Sequence, residues 1–175
     1  MTVEFPRPHR LDQIGSGESQ SEIHAEPEER AALARRFDLK TIESLDARYT
    51  LQSDAIGVVA KGHLSARVTQ SCIVTDEPVP AVIEEDFAIR FVPETSEAEG
   101  ADEFELSEDE CDTVFYSGSA IDLGEAAAET LALALDPYPR SPNAAAALKA
   151  AGVISEEEAG PFGALAGLKD KLAGK

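Results

Sequence analysis

Three segments in the first half of the chain alternate between apolar and polar residues: Leu45–Leu51, Val58–Val68 and Ala81–Phe91. A period of two places successive side chains on opposite faces of a strand, so each segment predicts a strand with one buried face. The connections, one of which contains the turn sequence Asp76-Glu77-Pro78, are short and favour antiparallel neighbours over crossover helices. The pattern predicts a meander-like antiparallel sheet. Glu85 interrupts the apolar face of the third strand and marks either a bulge or an edge.

Two helices are predicted beside this sheet. Proline at the first position and acids in the first turn favour a helix from Pro27 to about Phe37. Asp122 and Glu125 have the spacing of a capping box, which predicts a second helix over Leu123–Leu135. Its apolar stripe consists of Leu123, Ala127, Leu131 and Leu135. The predicted fold class is therefore α+β, an antiparallel sheet with helices packed on one face.

Further short elements and the domain organisation are predicted from weaker sequence patterns. Short strands are expected at Gln20–Ala25 and Thr113–Tyr116, a short helix at 144–151, and a last helix from Pro161. With 175 residues the chain is expected to form one domain. Its expected parts are an irregular N-terminal arm at 1–26, an acidic flexible loop at about 94–112 and a C-terminal helical tail at 144–175.

Targeting signals and cysteine usage bear on the compartment. No apolar run approaches 18 residues, and the first residues lack the basic and apolar segments of a secretory signal. We therefore expect a cytoplasmic protein with no membrane association. In that setting Cys72 and Cys111 are expected to be free thiols.

The formal charge of −19 is concentrated in one region of the chain. Residues 76–112 contain 15 acids and one base, Arg90, and residues 94–112 contain ten acids and no base. Like charges at this density repel, which favours a solvated, partly disordered loop. The alternatives are an acidic arm that mimics RNA or holds a basic protein, and, least favoured, a metal site. The acids lack the spacing of a calcium-binding loop.

No catalytic motif is present in the sequence. Phosphate-binding, dinucleotide-binding, serine-nucleophile and His-Glu-x-x-His patterns are all missing, and His9, His24 and His63 are scattered. Pairs of carboxylates occur by chance among 34 acids and identify no general acid or base. We therefore expect no enzyme activity, no cofactor and no small-molecule substrate.

The order of several motifs resembles a known family. An acidic loop precedes Ile121-Asp122-Leu123-Gly124-Glu125, and Pro161-Phe162 follows at a distance, with Leu165 and Leu168-Lys169 behind it. This order resembles the YceD family, the large ribosomal RNA subunit accumulation proteins, from about Leu45 to Lys169. The resemblance implies a cytoplasmic bacterial factor in ribosome biogenesis. It carries over no catalytic residues.

The chain departs from that family at its cysteines. Many members have two Cys-x-x-Cys-like pairs, which together would suit a structural zinc ion. Here the first pair reads Cys72 and Thr75, and the second falls in Arg140-Ser-Pro-Asn-Ala-Ala. Only Cys72 remains of the four, so no metal is expected.

Two modes of action remain open for a non-enzymatic factor that supports accumulation of large-subunit (23S) ribosomal RNA. In the first, cations contact the RNA or a pre-ribosomal particle. The candidate cations are Arg30, Arg35, Arg36, Arg48, Lys61 and Arg67. In the alternative, acids hold a basic ribosomal protein before assembly. The candidate acids are Glu103, Glu105, Glu108, Asp109 and Glu110.

Overall fold

The structure is a computed structural model and describes residues 3–94 and 112–153. The strands are β1 (Pro8–Arg10), β2 (Ser19–His24), β3 (Thr41–Ser53), β4 (Val58–Ser71), β5 (Pro78–Pro93), β6 (Asp112–Tyr116) and β7 (Ala120–Asp122). The helices are α1 (Pro27–Arg36), α2 (Leu123–Ala134) and α3 (Ala144–Ala150). A 3-10 turn spans Leu11–Gln13. The expected last helix from Pro161 lies outside the described residues.

The strands form two sheets. The larger has the order β2-β3-β4-β5-β6, and the smaller pairs β1 with β7. The α+β prediction is confirmed, and each of the three alternating segments forms a strand. One expectation is wrong: β6 runs parallel to β5, with Ile89 opposite Asp112, so the sheet is not antiparallel throughout. The connection over 94–111 is long enough for the chain to return to the same end of the sheet, which the short-connection argument did not cover.

The alternation of apolar residues explains which face of the sheet is buried. Leu45, Ala47, Tyr49 and Leu51 on β3 are all buried, and so are Ala60, Leu64, Ala66 and Val68 on β4. On α2 the predicted stripe is buried at Leu123, Ala127 and Leu131. The Tyr49 hydroxyl donates a hydrogen bond of 2.7 Å to the Leu123 carbonyl oxygen, so the one polar atom of this large core side chain has a partner.

The start of α2 differs from the predicted capping box. Asp122 does cap the helix, because its Oδ1 accepts from the backbone N–H of Gly124 and Glu125. Glu125 does not reach back. Instead its carboxylate forms two hydrogen bonds with Arg36 on α1, at 2.6 and 3.0 Å. The complete capping box lies at α1, where Glu26 and Glu29 bond each other's backbone.

Contacts divide the chain into two compact units. Of the described residues, the first contains 3–70, 80–94 and 112–137, and the buried apolar cluster lies within it. The second contains 71–79 and 138–153, and so holds the turn after β4 together with α3.

Candidate interaction surfaces

The solvent face of the larger sheet carries a shallow, charged groove. The strands alternate, so the residues between the core positions of β2, β3, β4 and β5 point to this face. The groove has a volume of about 500 Å³, and Glu22, Arg48, Lys61, His63 and Asp86 are among its lining residues. Cations and carboxylates are therefore interleaved on one surface.

His63 lies between two carboxylates on this face. Its Nδ1 lies 2.7 Å from Asp86, its Nε2 lies 2.8 Å from Glu84, and Ser65 donates to the other oxygen of Glu84. The hydrogen bonds that the ring donates to Asp86 and then to Glu84 raise the pKa of His63 above its usual value. The hydrogen bonds from His63 and then Ser65 lower the pKa of Glu84. Carboxylates at both ring nitrogens favour the imidazolium form.

The sequence showed His63 only as one of three scattered histidines. The signal that could have found the cluster is the register of the β4–β5 hairpin, which sets positions 63 and 65 beside positions 84 and 86. Strand alternation fixes the face of each residue, but it does not fix which residues stand opposite.

Half of the predicted RNA-binding cations are bonded within the chain. Arg36 bonds Glu125 and also lies 3.1 Å from Glu4. Arg48 lies 3.1 Å from Glu22 across the β2–β3 pair. Arg30 donates to the Ala25 carbonyl oxygen.

The other three predicted cations are placed apart. Lys61 and Arg67 lie on β4, six positions apart, and Arg35 lies on α1. Within the described residues none of the three has an ion pair, although the charge of Arg67 contributes to the lowered pKa of Glu84. At roughly 3.3 Å per strand residue, Lys61 and Arg67 are about 20 Å apart. The structure does not gather the six cations into one patch.

The predicted protein-binding acids, Glu103, Glu105, Glu108, Asp109 and Glu110, lie outside the described residues. The single base of residues 76–112 is described. Arg90 lies 2.7 Å from Asp54, whose other oxygen accepts from the backbone of Ile56 and Gly57. This base is therefore engaged in closing the β3–β4 turn.

In the second unit, two turns meet at a buried thiol. The Val74 N–H donates to the Cys72 sulfur at 3.4 Å, and the Ile73 N–H donates to the Pro139 carbonyl oxygen. The hydroxyls of Thr75 and Ser141 are 3.0 Å apart. Residues 72–77 and 139–144 are called the turn pair below.

The turn pair surrounds Cys72 with hydrogen-bond donors. Burial acts to raise the pKa of the Cys72 thiol, but the Ser141 N–H, the Thr75 and Ser141 hydroxyls and the Val74 N–H outweigh it and lower that pKa to about 6. The sequence predicted Cys72 only as a free thiol, the one cysteine left of the four found in many family members. It did not predict that the Thr75 and Ser141 hydroxyls bond this thiol, because isolated Thr and Ser residues form no recognisable motif.

The turn pair also shows how this chain differs from a zinc site. Cys72 and Thr75 stand three positions apart on one turn, and Ser141 and Ala144 do so on the other. A structural zinc site takes its ligands from Cys, His or acidic side chains, and this set supplies one thiol. These residues do not fit the metal, and across residues 3–94 and 112–153 no group of three or more His, Cys, Asp or Glu side chains has an arrangement that could hold a metal ion.

The described residues thus define a class: an α+β protein with a charged sheet face and a hydrogen-bonded turn pair. A family model described as "Large ribosomal RNA subunit accumulation protein YceD" matches residues 60–169. That match covers more than half of the chain, so the chain belongs to the YceD family and the resemblance is confirmed. No curated protein and no solved structure matches the chain.

The family assignment gives a coarse function. The printed name concerns accumulation of large-subunit ribosomal RNA, so the role is related to ribosome biogenesis. The name describes an accumulation factor and no reaction. None of the helices in the described part of the chain is both long and apolar enough to span a bilayer.

Proposed function

We propose that this protein is a non-enzymatic, cytoplasmic ribosome biogenesis factor that supports accumulation of large-subunit (23S) ribosomal RNA. It does so by holding a basic ribosomal protein before that protein joins the subunit. A free basic protein binds nucleic acid without selectivity, and an acidic partner occupies its charge until assembly. The effect on RNA is then indirect, which the family name allows.

One observation carries the protein-holding mode: two of the six candidate cations are paired with the chain's own carboxylates, and a third is bonded to a backbone carbonyl oxygen. Arg36 and Arg48 are bonded to carboxylates, and the sheet face with Lys61 also displays Glu84 and Asp86. Phosphate binding would have to break these pairs or approach those acids. The excess of 15 acids over one base in residues 76–112 instead favours a cationic partner.

Direct contact with RNA or a pre-ribosomal particle is the second candidate. It is supported by Arg35, Lys61 and Arg67, which have no ion pair among the described residues. Because these cations lie far apart, they suit a long ligand with several phosphates, such as RNA, better than a small ligand.

The two modes are separated by binding assays with the full-length chain. The probes are protein extracted from large ribosomal subunits and, separately, protein-free large-subunit RNA. One variant carries Gln or Asn at Glu103, Glu105, Glu108, Asp109 and Glu110. The matched variant carries Gln at Arg35, Lys61 and Arg67.

We expect the unaltered chain to bind a basic ribosomal protein, the acid variant to lose most of that binding, and the cation variant to retain it. Both associations weaken with added salt, so all comparisons are made at one ionic strength. Binding of RNA that is lost only in the cation variant would replace this proposal with direct RNA contact. Binding of neither probe would overturn both modes.

A further inference from the structure

In the part of the chain that the structure describes, strand β5 has an open edge along much of its length. It lies between β4 and β6, but β6 accompanies only Ile89–Pro93. Within the described residues, no strand pairs with that side of residues 80–88, all of which belong to the first compact unit. A strand edge without a partner presents backbone N–H and C=O groups that can accept another strand.

The side chains along this edge are exposed. Val82 is 66% exposed, and Glu84, Glu85 and Asp86 are exposed in succession. Glu85 lies on the same face of β5 as the half-buried Ile83 and Phe87. Because Glu85 is exposed, none of the described residues covers this face at position 85. Of the two sequence-based interpretations of Glu85, an edge fits.

A proline indicates which backbone groups face outward. Pro80 stands at the start of the edge and has no N–H to donate. In sheets, proline is found where its nitrogen faces away from the partner strand. Residues of the same parity, Val82, Glu84 and Asp86, therefore direct their N–H and C=O groups away from β4 and toward the open edge.

We propose that residues 80–88 of β5 bind an extended, basic segment of the partner protein by strand addition. Backbone hydrogen bonds would supply the pairing, and Glu84 and Asp86 on one face of β5 would select lysine or arginine at alternate positions. Glu84 and Asp86 lie on the solvent face, whereas Glu85 lies on the other. The inference rests on the proposed function and adds to it the form of the partner segment and the surface that receives it.

Charge argues against the other occupants of this edge. A second copy pairing edge to edge would bring Glu84, Glu85 and Asp86 against their own counterparts, and directly opposed like charges are unfavourable. RNA would bring phosphates toward the same carboxylates.

Hydrogen exchange on the full-length protein tests the proposal. The probe is a blocked synthetic peptide of alternating lysine and valine. Its control has the same lysines with proline in place of valine, so that charge is kept and strand pairing is lost. We expect the alternating peptide to slow exchange at the amides of Val82, Glu84 and Asp86, and the proline peptide to leave these amides unprotected.

A pair of variants tests the same edge by affinity. Val82→Pro removes the N–H of residue 82, which points toward the open edge as the nitrogen of Pro80 does. Val82→Thr keeps that N–H and is also a residue that favours strands. We expect Val82→Pro to weaken the alternating peptide about tenfold and Val82→Thr to change its affinity less than twofold. The exchange pattern is measured on the unaltered chain, so it decides the question even if Val82→Pro fails to fold.

Three outcomes would overturn the inference: equal binding of both peptides, protection elsewhere without protection at this edge, or a dimer of the chain formed through it. Continued capture of a basic ribosomal protein by Val82→Pro would leave the proposed function standing while this surface is rejected. Loss of all basic-protein binding by the unaltered chain would reject the proposed function itself.

Discussion

At the scale of single residues, close packing and hydrogen bonding explain positions that composition leaves unremarkable. Gly62 lies on the core face of β4, opposite Tyr49 and against the ring of Phe87. The rings of Tyr49 and Phe87 contact each other at a centroid distance of 5.0 Å. The missing side chain of Gly62 thus gives the ring of Phe87 its space beside β4.

Replacing Gly62 with alanine is expected to destabilise the fold. Its Cβ would overlap the Arg48 carbonyl oxygen and the Phe87 ring, and the backbone oxygen cannot move aside cheaply. We expect a loss of about 2–4 kcal/mol in the free energy of unfolding, measured by urea denaturation. Gly17→Ala is the matched control, because a Cβ there meets nothing within 4 Å. Equal stability of the two variants would contradict this packing.

The His63 ion pairs predict a titration that is visible by NMR. Because hydrogen bonds donated to Asp86 and Glu84 favour the charged ring, the pKa of His63 should exceed the ordinary value of 6.5. The stabilising effect of a raised pKa is full below the unfolded value and is lost as pH rises through the folded one. Glu84→Gln should lower the pKa of His63, whereas Lys61→Gln, which has no bond to the ring, should not. An unshifted His63 would contradict the geometry.

At the scale of elements, the sequence predicted strands and helices well but predicted their partners poorly. Alternation located β3, β4 and β5, and the stripe from Leu123 to Leu131 located the buried face of α2. The parallel β5–β6 pair and the Arg36–Glu125 bond depend on residues far apart in the chain, which local patterns do not encode. The turn pair could not be predicted for the same reason. The hydroxyls of Thr75 and Ser141 come together only when residues 139–144 fold against residues 72–77.

The turn pair predicts a pH dependence of stability that comes from Cys72. A thiol whose pKa is lowered to about 6 in the folded state, from about 9 unfolded, stabilises the fold above pH 9. That contribution falls as pH decreases and is gone below pH 6. Unfolding curves at pH 6 and 9 should therefore differ less in Cys72→Ala than in the unaltered chain. Cys111→Ala, which keeps Cys72, should behave as the unaltered chain. An identical pH response in all three would contradict the donor arrangement.

The same pair of turns predicts a fold that does not depend on metal. A hydrogen bond of 3.0 Å joins Thr75 to Ser141, two positions at which a zinc site would have thiolates. A second hydrogen bond, also 3.0 Å long, runs beside it from the Asn143 side-chain amide to the Glu77 carboxylate. A chelator should therefore leave the melting temperature unchanged, and metal analysis should find no stoichiometric zinc. One zinc ion per chain, or a lower melting temperature with chelator, would contradict this.

At the scale of the whole molecule, charge distribution decides which partner the chain can hold. The net charge of −19 arises mostly from residues 76–112, while the rest of the chain is close to balanced. This distribution of charge can be read directly from the sequence. The ion pairs of Arg36 with Glu125 and of Arg48 with Glu22 cannot, because they depend on how distant parts of the chain pack together. Because these two arginines are already paired, a basic protein is a better candidate partner than RNA.

The most direct test of the account is affinity capture of the tagged full-length chain from lysate at low salt, with and without nuclease. We predict that a basic ribosomal protein of the large subunit remains bound after nuclease treatment, and that neutralising Glu103, Glu105, Glu108, Asp109 and Glu110 releases it. Recovery of large-subunit RNA, with every associated protein lost on nuclease treatment, would contradict the protein-holding mode and identify RNA or a pre-ribosomal particle as the partner.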